Sequence, residues 1–214
     1  MNTKFSYAAV ALAAIAVGFF AAREWQHRHV SPETELAATP VARSPVLVLP
    51  EFSLKNREGT LQSVHSWPSK SLILNFWATW CAPCRREIPL LMELQQQHAA
   101  SGFQVVGIAV DFREDVLKYA DTMKISYPLL IGEQDGLAAV DAFGIEAVGF
   151  PYTVFTDAKG NIITTHIGEL HKEQAQLILD AVQRVNQGRL EVNAARTEVV
   201  AVLSNLKTAV ATEE

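Results

Sequence analysis

The strongest constraint on the fold is an apolar run that leads into two closely spaced cysteines. Residues 71–78, SLILNFWA, are apolar almost throughout and predict a β-strand that is buried on both faces. Cys81 and Cys84 follow directly, and from there the segment CRREIPLLMELQQQHAA carries apolar residues at helical spacing. The sequence therefore predicts a buried strand that leads into a helix, with both cysteines where the helix begins.

Two cysteines at this spacing could be a redox couple, half of a metal site or an inert buried pair. They are the only cysteines in 214 residues, too few for a disulfide-stabilised scaffold. A structural zinc site needs four ligands, and no pair of histidines follows at zinc-finger spacing. At a helix start, residues three apart come within disulfide range, and an inert pair would have no use for that placement. We therefore predict a redox couple, without metal or cofactor.

The helix start also assigns different roles to the two thiols. Unpaired backbone N–H groups and the positive end of the helix dipole favour the thiolate of Cys81, which we expect to be exposed and to attack. Cys84, one turn deeper, is expected to resolve the mixed disulfide. Arg85 and Arg86 should add positive potential, and Pro83 costs little in a first turn.

The remaining pattern predicts an α/β fold with a mixed central sheet and helices on both faces. Segments 52–54 and 60–63 flank the turn NREG and suggest an N-terminal hairpin. The order strand, helix, strand after residue 71 implies parallel pairing, and a hairpin over 151–168 adds antiparallel strands. Further strands are expected at 103–111 and 127–131, and further helices at 113–124, 135–144 and 171–187.

The N-terminus predicts a membrane anchor. Residues 5–22 carry no charge and as a helix would span about 27 Å, close to the hydrocarbon thickness of a bilayer. A cleaved signal peptide is the alternative, although phenylalanine would occupy the −3 position of a cleavage after residue 21 or 22. A buried core helix is a third reading, disfavoured by the lack of a polar face. The polar residues 23–45 read as a linker, and 46–188 as the folded domain.

The C-terminal tail, residues 189–214, has apolar residues near one helical face. Two interpretations are open: a helix that packs on the domain or frays from it, and a helix that serves dimerisation or a partner. The net charge of −5 and the absence of a Lys/Arg run give no indication of nucleic-acid binding.

The segment NFWATWCAPCRREIP resembles the active-site segment of the thioredoxin superfamily. It is most similar to the membrane-anchored, extracytoplasmic TlpA/ResA-like thiol–disulfide oxidoreductases, over about residues 45–188. The resemblance implies a thioredoxin-like fold with an N-terminal hairpin and one inserted strand–helix block at about 112–144.

The resemblance also implies roles for particular residues. Pro151 in VGFPYTVF should follow a cis peptide bond beside the dithiol, with Phe150 before it; an ordinary trans proline is the alternative. Trp80, Pro83, Phe150 and Pro151 are the implied substrate-binding residues. Glu87 matches an acidic residue near the dithiol that could raise a thiol pKa or relay a proton, unless it is a solvated helix glutamate.

Three positions qualify the resemblance. Thioredoxin carries a buried aspartate six residues before its first cysteine, where this chain has Asn75, which cannot titrate. Tyr152 follows the proline where reductases of cytochrome c maturation tend to have glutamate. Trp77, on the strand, is expected in the core.

The activity implied is an extracytoplasmic thiol:disulfide reductase, with Cys81, Cys84 and Glu87 as catalytic residues. Its partners would be exported disulfide-containing proteins, for example in cytochrome c or copper-site assembly, and a membrane thiol carrier as electron donor. The expected location is the bacterial inner membrane with the domain in the periplasm, or the soluble periplasm after signal cleavage. A disulfide-forming oxidase and a Cu(I)-binding metallochaperone-like protein are alternatives, and a peroxidase is disfavoured by the Trp-Cys-x-x-Cys helix start.

Overall fold

A computed structural model describes residues 46–144 and 149–211. The predicted anchor and linker lie outside these residues, and no helix within them is long and apolar enough to cross a membrane. The elements in chain order are β1 (Ser53–Asn56), β2 (Leu61–Ser63), β3 (Ser71–Trp77), α1 (Ala82–His98), β4 (Phe103–Val110), α2 (Arg113–Met123), β5 (Leu129–Gly132), α3 (Gln134–Ala142), β6 (Tyr152–Thr156), β7 (Ile162–Ile167), α4 (Lys172–Asn186) and α5 (Val192–Ala211).

The described strands form one seven-stranded mixed sheet in the order β2-β1-β5-β4-β3-β6-β7. The central strands β3, β4 and β5 are parallel, as the strand–helix alternation predicts, because each connection between them contains a helix. The hairpin β6–β7 pairs antiparallel with β3, and β1 pairs antiparallel with β5. The predicted thioredoxin-like mixed sheet is thus confirmed.

Helices cover both faces of this sheet. Buried residues of α1, α2, α4 and α5 form one apolar cluster with one face of β3. Residues of α3 form a second cluster with the other face of β3 and with the segment before β1. The predicted block at about 112–144 contains α2, β5 and α3, so it consists of a strand between two helices.

Strand β3 is the centre of the molecule, since all seven of its residues are buried. On one face Phe76 stacks on Tyr152 with ring centroids 4.3 Å apart and meets the edge of Phe143 at 5.4 Å. On the other face Trp77 is fully buried, as predicted. Aromatic burial on both faces fixes the strand firmly, and with it the point at which the cysteines follow.

Gly107 on β4 makes room for this packing. A Cβ at this position would lie 2.7 Å from Cδ2 of Leu129 and 3.0 Å from Cε2 of Tyr127. We expect Gly107→Ala to lower the free energy of unfolding by about 1–3 kcal/mol through overpacking. Urea denaturation measures the loss, and Gly149→Ala, where a Cβ meets nothing within 4 Å, is the control. Equal stability of the two variants would contradict the prediction.

The tail forms helix α5, which packs on the domain in agreement with the first interpretation. Ala195 and Val199 are buried in the cluster that contains α4. Arg196 donates from Nε to the carbonyl of Ile162 at 2.8 Å, which ties the helix to strand β7. Val200, by contrast, is 60% exposed.

Candidate active site

The two cysteines lie where β3 passes into α1, as predicted. Cys81 is the N-cap residue of a helix that begins at Ala82, and its Sγ accepts the backbone N–H of Cys84 at 3.3 Å. The sulfurs form a disulfide, with the Cα atoms 5.3 Å apart. Pro83 occupies the first turn, where its missing N–H leaves no intrahelical bond unmade. The helix N-terminus is therefore in place to stabilise a thiolate at Cys81 once the bond is reduced.

The exposure of Cys81 differs from the prediction. In the disulfide form Cys81 is only 4% exposed, and Cys84 is not exposed at all. Both belong to the apolar cluster between β3 and the helices, because the cap position turns the first sulfur back over the helix start. Cys81 nevertheless keeps the only accessible surface of the pair, so a partner thiol or disulfide can reach only this residue.

Glu87 is a carboxyl side chain buried in the site. It is 1% exposed, so the alternative of a solvated helix glutamate is wrong. Its Oε1 accepts from Nδ2 of Asn75 at 2.6 Å, and its Oε2 accepts from the backbone N–H of Leu170 at 2.7 Å. Burial raises the pKa of Glu87 to about 7, and the two hydrogen bonds act against that rise. The carboxyl therefore changes its charge near neutral pH.

Asn75 has a positive role that the sequence did not indicate. It is fully buried on β3, and the same Nδ2 that contacts Glu87 also donates to Oγ1 of Thr153 at 3.0 Å. Strand β3 has no titratable acid at this position. Glu87 of helix α1 provides one instead, and Asn75 of the strand holds it by a hydrogen bond. Neither Thr153 nor Leu170 was predicted, since each joins the site only through the tertiary fold.

Arg86 contributes less positive potential than predicted. Arg86 forms an ion pair with Glu169, with its Nε 2.9 Å and its Nη2 2.5 Å from Oε2. The hydrogen bond from Arg86 lowers the pKa of Glu169, which keeps that carboxylate charged. The charge of Arg86 is therefore largely compensated by a residue absent from the sequence prediction, while Arg85 is exposed.

The implied substrate surface lies beside the cysteines. The Phe150–Pro151 bond is cis, as the resemblance implied. Trp80 is 68% exposed, and its ring centroid lies 6.1 Å from that of Phe150. Tyr152 is buried between Phe76 and Phe150, with ring centroids 4.3 Å and 6.2 Å from theirs. Trp80, Phe150 and Pro151 are thus brought together, and their role in substrate binding stays a prediction.

The loop before the cysteines is fixed by Asp111 at the end of β4. Oδ2 of Asp111 accepts from the backbone N–H of Thr79 at 2.9 Å and from its Oγ1 at 2.5 Å. This pair of bonds holds the backbone next to Trp80. This contact could have been expected from the sequence, because Thr79 and Asp111 follow the carboxyl ends of the adjacent parallel strands β3 and β4.

No group of three or more histidine, cysteine, aspartate or glutamate residues is placed to hold a metal ion within residues 46–144 and 149–211. What the arrangement can do is exchange a disulfide: it contains a reachable sulfur, a resolving sulfur and a buried carboxyl that titrates near pH 7.

The Cys81–Cys84 disulfide lies where the central strand of a mixed sheet leads into a helix. This arrangement is that of the thioredoxin-like thiol–disulfide oxidoreductases. Residues 47–165 match the AhpC/TSA family. The chain belongs to this family, and it is a thiol–disulfide oxidoreductase of the ResA type.

Individual relatives agree with this assignment. The thioredoxin-like protein YneN of Bacillus subtilis strain 168 is 34% identical over 137 residues, which are 61% of this chain and 76% of YneN. The thiol-disulfide oxidoreductase ResA of Geobacillus thermodenitrificans is 29% identical over 135 residues, 63% and 75% of the two chains. A crystal structure of a thiol:disulfide interchange protein from Chlorobium tepidum TLS superposes with a TM-score of 0.57 at 33% identity, and covers 65% of this chain and 97% of that one.

Proposed function

We propose that this protein reduces disulfide bonds in exported proteins outside the cytoplasm. The observation that carries the proposal is the buried Glu87 carboxyl, on the same side of helix α1 as Cys84 and one turn further along. A reductase needs a base at the resolving thiol, and a carboxyl whose pKa is about 7 is suited to that task at neutral pH.

The reaction would run in two exchanges. The Cys81 thiolate attacks one sulfur of the partner's disulfide, and the other partner sulfur leaves as a thiolate. Cys84 then attacks Sγ of Cys81, which forms the bond found in this structure and releases the first partner sulfur. The partner gains two electrons and the protein loses two, so a further dithiol must reduce the Cys81–Cys84 bond again.

The Glu87 carboxyl can serve the resolving step of reduction at pH values above its pKa. There the carboxyl is ionised, so it can accept the proton of Cys84 but has none to supply. A thiol in apolar surroundings is a poor nucleophile until it loses that proton. The same relay run in reverse would serve an oxidase, so the direction itself is set by the reduction potentials of the Cys81–Cys84 bond and of the partner's disulfide.

The partner is proposed to be a polypeptide that docks beside the dithiol. Trp80, 68% exposed, lies beside the half-buried ring of Phe150, which precedes the cis Pro151. Such a surface binds an extended segment through apolar contact, without charge selection. Apocytochrome c and copper-site assembly proteins are the partners that the resemblance suggests.

The location is proposed from the sequence. Residues 5–22 would anchor the chain in the bacterial inner membrane, with the domain in the periplasm, or would be removed as a signal peptide. A dithiol carrier in the membrane would then supply electrons from the cytoplasm.

Trapping in intact cells tests the direction, the partner and the location together. In Cys84→Ser the mixed disulfide on Cys81 cannot be resolved, so we expect exported proteins to accumulate covalently on the variant, identified by mass spectrometry after acid quenching and alkylation. Cys81→Ser is the matched control and should trap nothing, because Cys84 has no exposed surface. Attachment of cytoplasmic proteins alone, or of none, would overturn the proposal.

A further inference from the structure

The loop of residues 168–170, between β7 and α4, touches three parts of the active site. The backbone N–H of Gly168 donates to the carbonyl of Pro151 at 2.9 Å. The side chain of Glu169 binds Arg86, and the backbone N–H of Leu170 donates to Glu87 at 2.7 Å. Two adjacent residues of the loop thus contact two adjacent residues of helix α1, and the third contacts the proline of the substrate surface.

We propose that the Arg86–Glu169 ion pair is a positioning device that clamps the 168–170 loop against helix α1. Held in this way, the loop keeps the Leu170 N–H on the Glu87 carboxyl and the Gly168 N–H on the Pro151 carbonyl. The inference rests on the proposed function insofar as Glu87 acts as the base. Arg86 and Glu169 are positioning residues, since neither contacts a sulfur.

The geometry of the pair suits a clamp. The guanidinium donates through both Nε and Nη2, and Nε lies 3.1 Å from Oε1 and 2.9 Å from Oε2 of the carboxylate. A forked contact of this kind fixes orientation as well as distance, which a single-point contact does not. The Glu169 side chain is 21% exposed and the Arg86 side chain 60%, so water screens the pair and its value lies in orientation more than in energy.

Backbone contacts also hold this loop, including His166 Nε2, which lies 3.2 Å from the carbonyl oxygen of Glu169. Gly168 has a φ of 100°, a left-handed conformation that glycine adopts without strain. Leu170, at the other end, is buried and anchors the chain in the core. Between them, Glu169 is the residue whose side chain reaches helix α1.

Several charged or titratable groups face the Glu87 carboxyl, and they decide whether removing Arg86 raises or lowers the pKa of Glu87. Glu169 in the loop raises the pKa of Glu87, and Tyr127, before β5, lies close enough that Glu87 raises its pKa in addition to the effect of burial. On α1 itself the neighbours are Cys84 and Arg86. Without Arg86, both the uncompensated charge of Glu169 and a loosened Leu170 N–H bond would raise the pKa of Glu87.

The test is an NMR titration of the Glu87 side-chain carboxyl carbon in the oxidised protein, without any substrate. In Arg86→Met we expect the midpoint to rise by about 0.5–1 pH unit, the amount that a weakened hydrogen bond to a carboxylate corresponds to. We also expect the Leu170 amide to exchange its hydrogen about 10-fold faster, since its bond opens more often.

A double variant separates positioning from charge. In Arg86→Met with Glu169→Gln, the neighbouring negative charge is gone and the loop is still released. Positioning predicts that Leu170 still exchanges its amide hydrogen fast, although loss of the Glu169 charge lowers the midpoint and offsets part of its rise. A midpoint at or below the unmodified value, with unchanged exchange, would overturn the proposal.

Two further variants complete the experiment. Lys172→Met removes an ion pair with Glu93, at 2.7 Å, which also joins α1 to the start of α4 but touches neither Glu87 nor Leu170. Lys172→Met should leave the Glu87 midpoint and the Leu170 exchange rate unchanged. Arg86→Lys should shift both by less than Arg86→Met does. Because the titration needs no turnover, an unchanged midpoint in Arg86→Met would refute the clamp and leave the reductase proposal standing.

Discussion

Replacing Glu87 by glutamine is expected to slow disulfide reduction by about 10²-fold at pH 8 and to remove the inflection of the rate near pH 7. Glutamine still offers Asn75 an oxygen to bind, so the side chain should stay in place. What it loses is the ability to take a proton from Cys84. The second exchange therefore becomes slow, and the mixed disulfide on Cys81 should accumulate.

Single-turnover kinetics between pH 5.5 and 8.5 measure this effect. The reduced protein is mixed with a disulfide-bonded polypeptide, and acid quenching separates the mixed disulfide from released product. Attack by Cys81 should keep its rate, since the helix start favours that thiolate without Glu87. Release of product should be slow and should rise with pH across this range without levelling near pH 7, because only solvent can then take the proton of Cys84.

Glu93→Gln is the control for this experiment. Glu93 lies on the same helix, but its hydrogen bond with Lys172 lowers the pKa of the carboxyl, so it does not titrate near neutrality. Its removal should leave the inflection near pH 7 in place. An inflection that survives in Glu87→Gln would mean that another group carries the proton.

Much of the fold could be predicted because its signals are local. The apolar run of β3 and the spacing of the cysteines lie within about fifteen residues, and they determine a strand, a cap and a helix start. The parallel core follows from the helices between strands, and the hairpin β6–β7 from its turn. Trp80, which directly precedes the dithiol, is accordingly exposed next to it.

The electrostatics of the site could not be predicted because they depend on contacts distant in sequence. Leu170 reaches Glu87, and Glu169 reaches Arg86, across 83 residues in each case. No periodicity marks such a contact. The arginine therefore looked like a source of positive potential for the thiols, and Asn75 looked like the mere loss of an acid, although it holds the acid that helix α1 supplies.

The buried carboxyl also has a consequence for stability. In the unfolded chain Glu87 should have the ordinary glutamate pKa of 4.5, whereas in the folded protein burial raises its pKa to about 7. Between these values the folded state binds more protons than the unfolded state, so the free energy of unfolding falls as pH rises. The stabilising difference is fully present below pH 4.5 and is lost as pH passes through about 7.

The size of this fall is expected to be about 3.5 kcal/mol, since the two pKa values are about 2.5 pH units apart and one unit corresponds to about 1.4 kcal/mol. Urea denaturation of the oxidised protein at intervals from pH 5 to pH 8 measures it. Glu87→Gln should lose this pH dependence while its absolute stability drops, because an amide nitrogen cannot accept the Leu170 N–H. A slope that is the same in Glu87→Gln and the unmodified protein would show that the carboxyl does not ionise near pH 7, and the base assigned to Cys84 would then have to be sought elsewhere.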